Sequence, residues 1–132
     1  MTIKRLATVL AVLGGLFLLY AGTSFLLAPQ ATAEGFGLPT WPQGQGEGEA
    51  FLQVKGVRDI GFAGVILVLL LAGQRKALGL AMAAMAVVPV GDMLIVLSEG
   101  GPAATAYGVH GLAAAVVVVT AGLLLRERSA GA

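Results

Sequence analysis

Asp59, Asp92 and His110 are the residues of this chain best suited to acid–base chemistry. Two carboxylates and an imidazole can hold and pass a proton when their surroundings push their affinities apart. Arg58, next to Asp59, can pair with a carboxylate, and Tyr20 and Tyr107 can each donate a hydroxyl. The reading is therefore Asp92, His110 and Asp59 as acid–base groups, with Arg58, Tyr20 and Tyr107 lining a binding pocket. Asp59, Asp92 and His110 also have the ligand types of a divalent-ion site, but the adjacent Arg58 repels a cation, so no metal is assigned. No cofactor is assigned either.

The background around these residues is apolar. Of 132 residues 58% are hydrophobic and 11% charged, against about 25% charged in a soluble domain. A soluble globular protein is excluded, as is a disordered chain, whose composition runs the other way. The absence of cysteine rules out a disulfide scaffold, a thiolate zinc site, c-type haem attachment and a dithiol–quinone enzyme. A net charge of +1 gives no reason to expect nucleic acid. The partner implied is the lipid bilayer, with a lipophilic small molecule as the candidate ligand; the oligomeric state is left open.

Four apolar stretches are each close to the roughly 20 residues that cross a bilayer as a helix, near residues 6–28, 51–72, 77–97 and 103–125. No stretch alternates polar and apolar residues, which argues against a β-barrel. The expected fold is all-α: a single transmembrane domain over residues 1–132, a four-helix bundle running up-down-up-down. Lys4 and Arg5, Arg75 and Lys76, and Arg126 and Arg128 flank the spans on one side, while the other connections carry Glu34, Glu47, Glu49 and Glu99. Basic residues stay cytoplasmic, so both termini are expected inside, in a multi-pass protein of the cell membrane. Lys4 and Arg5 followed by the first span, with Ala31-Thr32-Ala33 beyond, also resemble a cleaved signal. The apolar run is longer than the roughly 7–15 residues of a signal core.

The outer loop, residues 29–50, is rich in glycine and proline, a density that predicts neither helix nor strand. Phe36, Leu38 and Trp41 suit it either to lie on the bilayer or to fold over the bundle mouth, and a loose tether is the other reading. Asp59, Asp92 and His110 lie at similar depth in the outer half, roughly 8–12 Å in from the span ends. Tyr20, Thr23 and Ser24 share one face of the first span at that level. An unpaired charge at a span centre costs about 2.5–3.5 kcal/mol on insertion scales, so Arg58 is expected to face inward and pair with Asp59 or Asp92. His110 would take the remaining carboxylate. Lys55, nearer the surface, is expected to snorkel as an anchor. Pro89 should kink the third span beside Asp92. Helix packing is expected through Ala7, Ala11 and Gly15, through Gly61 and Gly64, and through Gly111 with Ala115.

Taken together, Lys55-Gly56-Val57-Arg58-Asp59, Pro89-x-Gly91-Asp92, His110-Gly111 and Phe36-Gly37-Leu38-Pro39 resemble the set found in a family of small four-span membrane proteins catalogued only as a domain of unknown function. The resemblance runs from the first span to the fourth. It implies the fold and the choice of polar residues, and no activity.

Three functional readings follow. In the first, the Arg/Asp/Asp/His cluster is a buried network that fixes helix register in a structural or accessory protein. In the second, Asp92 or Asp59 acts with His110 in an intramembrane acid–base enzyme on a lipophilic small molecule. In the third, the chain is a proton-coupled transporter or channel subunit, which an inner half holding only Thr8 and Thr120 does little to support.

Overall fold

In the computed structural model, which describes residues 2–43 and 46–127 apart from the side chain of Glu47, the polypeptide is helical with no strand among the described residues. Helix α1 (Ile3–Leu27) starts where the Thr2 hydroxyl accepts the Arg5 amide at 3.3 Å. That cap satisfies one of the amides a helix start leaves free. The helix ends at Ala28 because Pro29 follows, and a residue before proline is disfavoured in the α region.

Pro29 then opens a short helix, α2 (Pro29–Glu34), from its first position. This corrects the expectation of a loop without helix. Proline at a helix start removes only an amide that would lack a partner, and the loop's glycines begin at Gly35, after α2 has ended.

Helix α3 (Glu47–Leu71) ends at Gly73, whose φ of 69° is left-handed. There Gln74 N–H donates to Leu69 O at 2.9 Å and Gly73 N–H to Leu70 O at 3.1 Å. The same pair of bonds closes the helix that ends at Ser98, from Gly101 to Val96 and from Gly100 to Leu97. Both are Schellman turns, and both let the chain reverse within a few residues. Helices α4 (Arg75–Met85) and α5 (Val87–Ser98) form one apolar rod broken at Ala86. The break lies one turn before Pro89, whose ring nitrogen has no proton for the Met85 carbonyl. After α6 (Ala103–Thr105), a π-helical turn (Ala106–Gly111) leads into α7 (Leu112–Arg126).

Three stretches are long and apolar enough to cross a membrane: Ile3–Leu27, Arg75–Ser98 and Ala103–Arg126. Helix α3 matches α1 in length but carries Lys55, Arg58 and Asp59 in its first half. Large apolar side chains such as Phe17, Leu71, Val87, Leu112 and Val118 lie exposed on the outer faces. Helices apolar on their outward as well as their inward faces are those of a membrane protein.

Helix α1 packs along α3, α4 along α7, and α1 also against α7. The core they share is Ala7, Ala11, Ile66, Leu78, Met82, Ala121 and Leu124. Gly15, one turn after Ala11, is buried as well. The tightest approach of α1 to α3 is at Gly22 and Gly56, where a Cβ on either would sit 2.6 Å from the other's carbonyl oxygen. Gly61 and Gly64 have open space around them and do not pack, because the inward line of α3 runs through Gly56, Asp59, Ala63 and Ile66. On α7 and the turn before it, Gly111 sits near Met93 while Ala115 is exposed.

One end of the helices is clamped by Arg75. Its guanidinium forms a two-pronged ion pair with Glu127, with Nη2 to Oε1 at 2.6 Å. It also donates to Thr8 Oγ1 at 3.1 Å and to the Lys4 carbonyl at 3.2 Å. The starts of α1 and α4 and the end of α7 therefore meet there, while Arg128 lies outside the described residues.

Candidate functional site

Asp59 is 4% exposed, on the line of α3 that faces α1. Its partner is Lys55, one turn earlier, whose Nζ donates to Asp59 Oδ2 at 2.8 Å. The same ammonium lies 4.8 Å from the centre of the Phe25 ring and 5.3 Å from that of Phe36. Aromatic faces attract a cation, so Lys55 is held inside the protein. Two expectations are corrected. Lys55 is not a surface anchor, and Arg58 is exposed and makes no ion pair among the described residues. The physical reason is helical phase: residues four apart share a face and neighbours do not. The spacing of Lys55 and Asp59 is the signal that identifies this pair.

His110 is 6% exposed. Its Nε2 lies 2.8 Å from the Phe36 carbonyl oxygen, and since a carbonyl only accepts, Nε2 carries the proton and donates. The two rings also meet, 4.5 Å between centres at 53°. The imidazole thus holds a backbone carbonyl of the α1–α3 connection and not a carboxylate. Tyr107 is 59% exposed and Tyr20 71% exposed, so neither lines the pocket. On a π-helical turn each residue advances through a smaller angle than on an α-helix. Tyr107, three residues before His110, accordingly falls on another face. On α1, Gly22 and Phe25 take the inward side. Tyr20, two residues before Gly22, points nearly opposite. Ser24 donates to the Tyr20 carbonyl at 2.8 Å, within its own helix.

The connection folds over this end of the helices as a cap. Trp41 Nε1 donates to Gln30 Oε1 at 3.2 Å, and Gln30 Nε2 donates to the Pro42 carbonyl at 3.1 Å and to Glu49 Oε2 at 3.4 Å. Gly37 has a φ of 98° and packs on Thr105 and Val96 so closely that a Cβ there would lie 2.7 Å from the Thr105 methyl. Beneath the cap is a cavity of about 220 Å³, bordered by Lys55, Arg58 and Asp92 below and by Phe36, Leu38 and Trp41 above. Asp92 is half-buried and within electrostatic reach of Lys55, His110, Asp59 and Arg58. It makes no hydrogen bond or ion pair among the described residues. Phe36 is a shared wall, touching the Asp92 cavity and the His110 ring. No three His, Asp or Glu side chains among the described residues are grouped to hold a metal ion.

The arrangement separates two kinds of polar residue. Asp59 and His110 are occupied by contacts that hold the fold, and Arg58 and Asp92 face the cavity with free valences. Comparison with curated proteins and with solved structures returns no match for the chain. A family match runs over residues 15–124, which include Lys55, Arg58, Asp59, Asp92 and His110. The chain belongs to the family described as Domain of unknown function (DUF4267).

Proposed function

We propose that this is a four-span protein of the cell membrane with an accessory role, in which the polar residues at the capped end hold an outward-facing cap on the helices. In this reading α1, α3, the α4–α5 rod and the α6–α7 rod each cross once, running up-down-up-down, with both termini cytoplasmic. The observation that carries it is the hydrogen bond from His110 to the Phe36 carbonyl. The imidazole that acid–base chemistry would call on is engaged in fastening the cap.

The Lys55–Asp59 pair supports counting α3 among the spans, because pairing two opposite charges reduces what each would cost in the bilayer. Lys4 and Arg75 meet at the uncapped end, with Lys76 beside them in sequence. That clustering supports a cytoplasmic placement of this end. Among the described residues the core between the two polar ends is apolar with Thr120 buried beside it, which favours an accessory role over transport. Asp92, free and facing the cavity, favours a second reading, an acid–base enzyme acting on a lipophilic small molecule.

Two variants test the accessory reading. Leaving the Phe36 carbonyl without its donor should cost about 1–3 kcal/mol. His110→Ala should therefore unfold earlier in detergent and expose the connection to protease, and His110→Gln, which keeps a donor, should recover part of the loss. If His110→Ala melts like the parent and keeps its cap protected, the role assigned to His110 is wrong.

A further inference from the structure

Helix α3 packs on α1 and α4, and α5 packs on the π-helical turn and α7, but among the described residues α3 and α5 share no extensive interface. Of the α4–α5 rod it is the α4 half that packs on α3. The cavity occupies the seam this leaves. Lys55 and Arg58 border it from α3, and Asp92 and Ile95 from α5. Arg58 and Ile95 are both exposed, so the mouth opens sideways between two helices, toward lipid in the placement proposed above.

Two opposite charges stand at this mouth; Lys55 and His110 act on Asp92 only through space, and neither Asp92 nor Arg58 is held by a direct polar contact among the described residues. Arg58 and Asp92 border the same cavity, and among the described residues neither has a hydrogen-bond or ion-pair partner, each other included. Lys55, the third charge, is taken by Asp59. An unpaired guanidinium beside an unpaired carboxylate is the complement of a zwitterion. A phosphate suits the guanidinium fork, and an ammonium suits the carboxylate. An anionic group would satisfy Arg58 and be repelled by Asp92, while a neutral one would leave both charges without counterparts.

Size and surroundings narrow the ligand further. The cavity of about 220 Å³ is smaller than the roughly 300–1,000 Å³ of sites that enclose a whole drug-sized ligand. It has room for a headgroup, and exposed apolar side chains, Ile95 at its border on α5 and Val54 one turn before Arg58 on α3, can take acyl chains outside. We propose that the seam between α3 and α5 binds the headgroup of a zwitterionic phospholipid, with its phosphate on Arg58 and its ammonium on Asp92. The sideways entry of a lipid rests on the four-span placement; the pairing of charges does not.

Trp41 is the only tryptophan of the chain and lines the roof of the cavity, so its emission reports occupancy. The test titrates the full chain, in a neutral maltoside detergent, with short-chain phosphatidylethanolamine. A saturable change in Trp41 emission is expected, with binding at least tenfold weaker for phosphatidylglycerol and for diacylglycerol. Arg58→Gln and Asp92→Asn should each weaken phosphatidylethanolamine binding tenfold or more, and Asp92→Asn should erase the preference over phosphatidylglycerol. Equal binding of phosphatidylglycerol to the parent overturns the proposal without recourse to any variant. So does a preference unchanged in Asp92→Asn. Tail-less phosphoethanolamine bound as tightly as the lipid would make the ligand a soluble molecule and overturn the lipid assignment. Because the assay is run in detergent, its failure is distinct from a failure of the topology, which a reporter fusion reads separately.

Discussion

Lys55 and Asp59 stand one turn apart on α3 with their charges 2.8 Å apart, and the carboxylate is the deeper member, 5% exposed against 20% for the lysine side chain. A buried carboxylate with a single ionic partner depends on that partner. Lys55→Met should therefore destabilise the protein by about 3–5 kcal/mol, the usual cost of leaving a buried charge alone. Lys55→Met combined with Asp59→Leu should recover most of the loss, because both charges are then gone. Equilibrium unfolding in detergent, run as a double-mutant cycle, measures both.

Arg58→Leu should behave differently from Lys55→Met. Arg58 is exposed and pairs with no carboxylate among the described residues. Its replacement should change stability by less than about 1 kcal/mol, as for other surface sites. A loss as large as that of Lys55→Met would mean that Arg58 holds the fold together.

Gly22→Ala should force α1 and α3 apart. The new methyl would lie 2.6 Å from the Gly56 carbonyl oxygen and 2.9 Å from the Ile60 nitrogen, both backbone atoms. Overpacking of this kind costs about 1–3 kcal/mol. Gly61→Ala, with open space at its Cβ, should be neutral or gain up to about 1 kcal/mol from its better helix propensity. Melting temperatures of the two variants in one detergent separate these outcomes.

Glu127 gives a dependence on pH. The hydrogen bonds from Arg75 hold its carboxyl below the ordinary value of 4.5. A group whose folded pKa is depressed stabilises the fold above its unfolded pKa and loses that contribution as pH falls through the folded value. The clamp should thus be intact at neutral pH and weaken only when acid passes below 4.5. Glu127→Gln should lower stability at pH 7 and flatten its fall in that acid range. A melting series across that range, parent against variant, checks the sign.

The all-α class was readable in the sequence because long uncharged runs leave backbone groups no partner but their own helix. The break before Pro89 was readable too, since a missing amide proton is a local fact. The buried stripe of Ala7, Ala11 and Gly15 followed from residue size and spacing. The pairing of charges was harder. Arg58 and Asp59 are adjacent in sequence, but one helical step separates their faces, and the four-residue spacing of Lys55 to Asp59 is what matters. The partner of His110 comes from a carbonyl 74 positions away, on a connection with no periodicity to read. Tyr20 was misread because the face of α1 is chosen by the contact of Gly22 with Gly56, which no single helix reveals.

The π-helical turn at Ala106–Gly111 has a consequence for how this protein can change. One extra residue in a helix rotates everything on one side of it relative to the other, leaving the axis nearly unchanged. The end bearing His110 and the end bearing Thr120, Ala121 and Leu124 are therefore set to independent azimuths on a single rod. Deleting one residue within the turn would restore plain α-helical winding and swing His110 away from Phe36, while the contacts of α7 with α4 stayed in place. Gain or loss of a single residue there acts as a rotary adjustment, by which the capped end can be reshaped without recutting the packing beneath it.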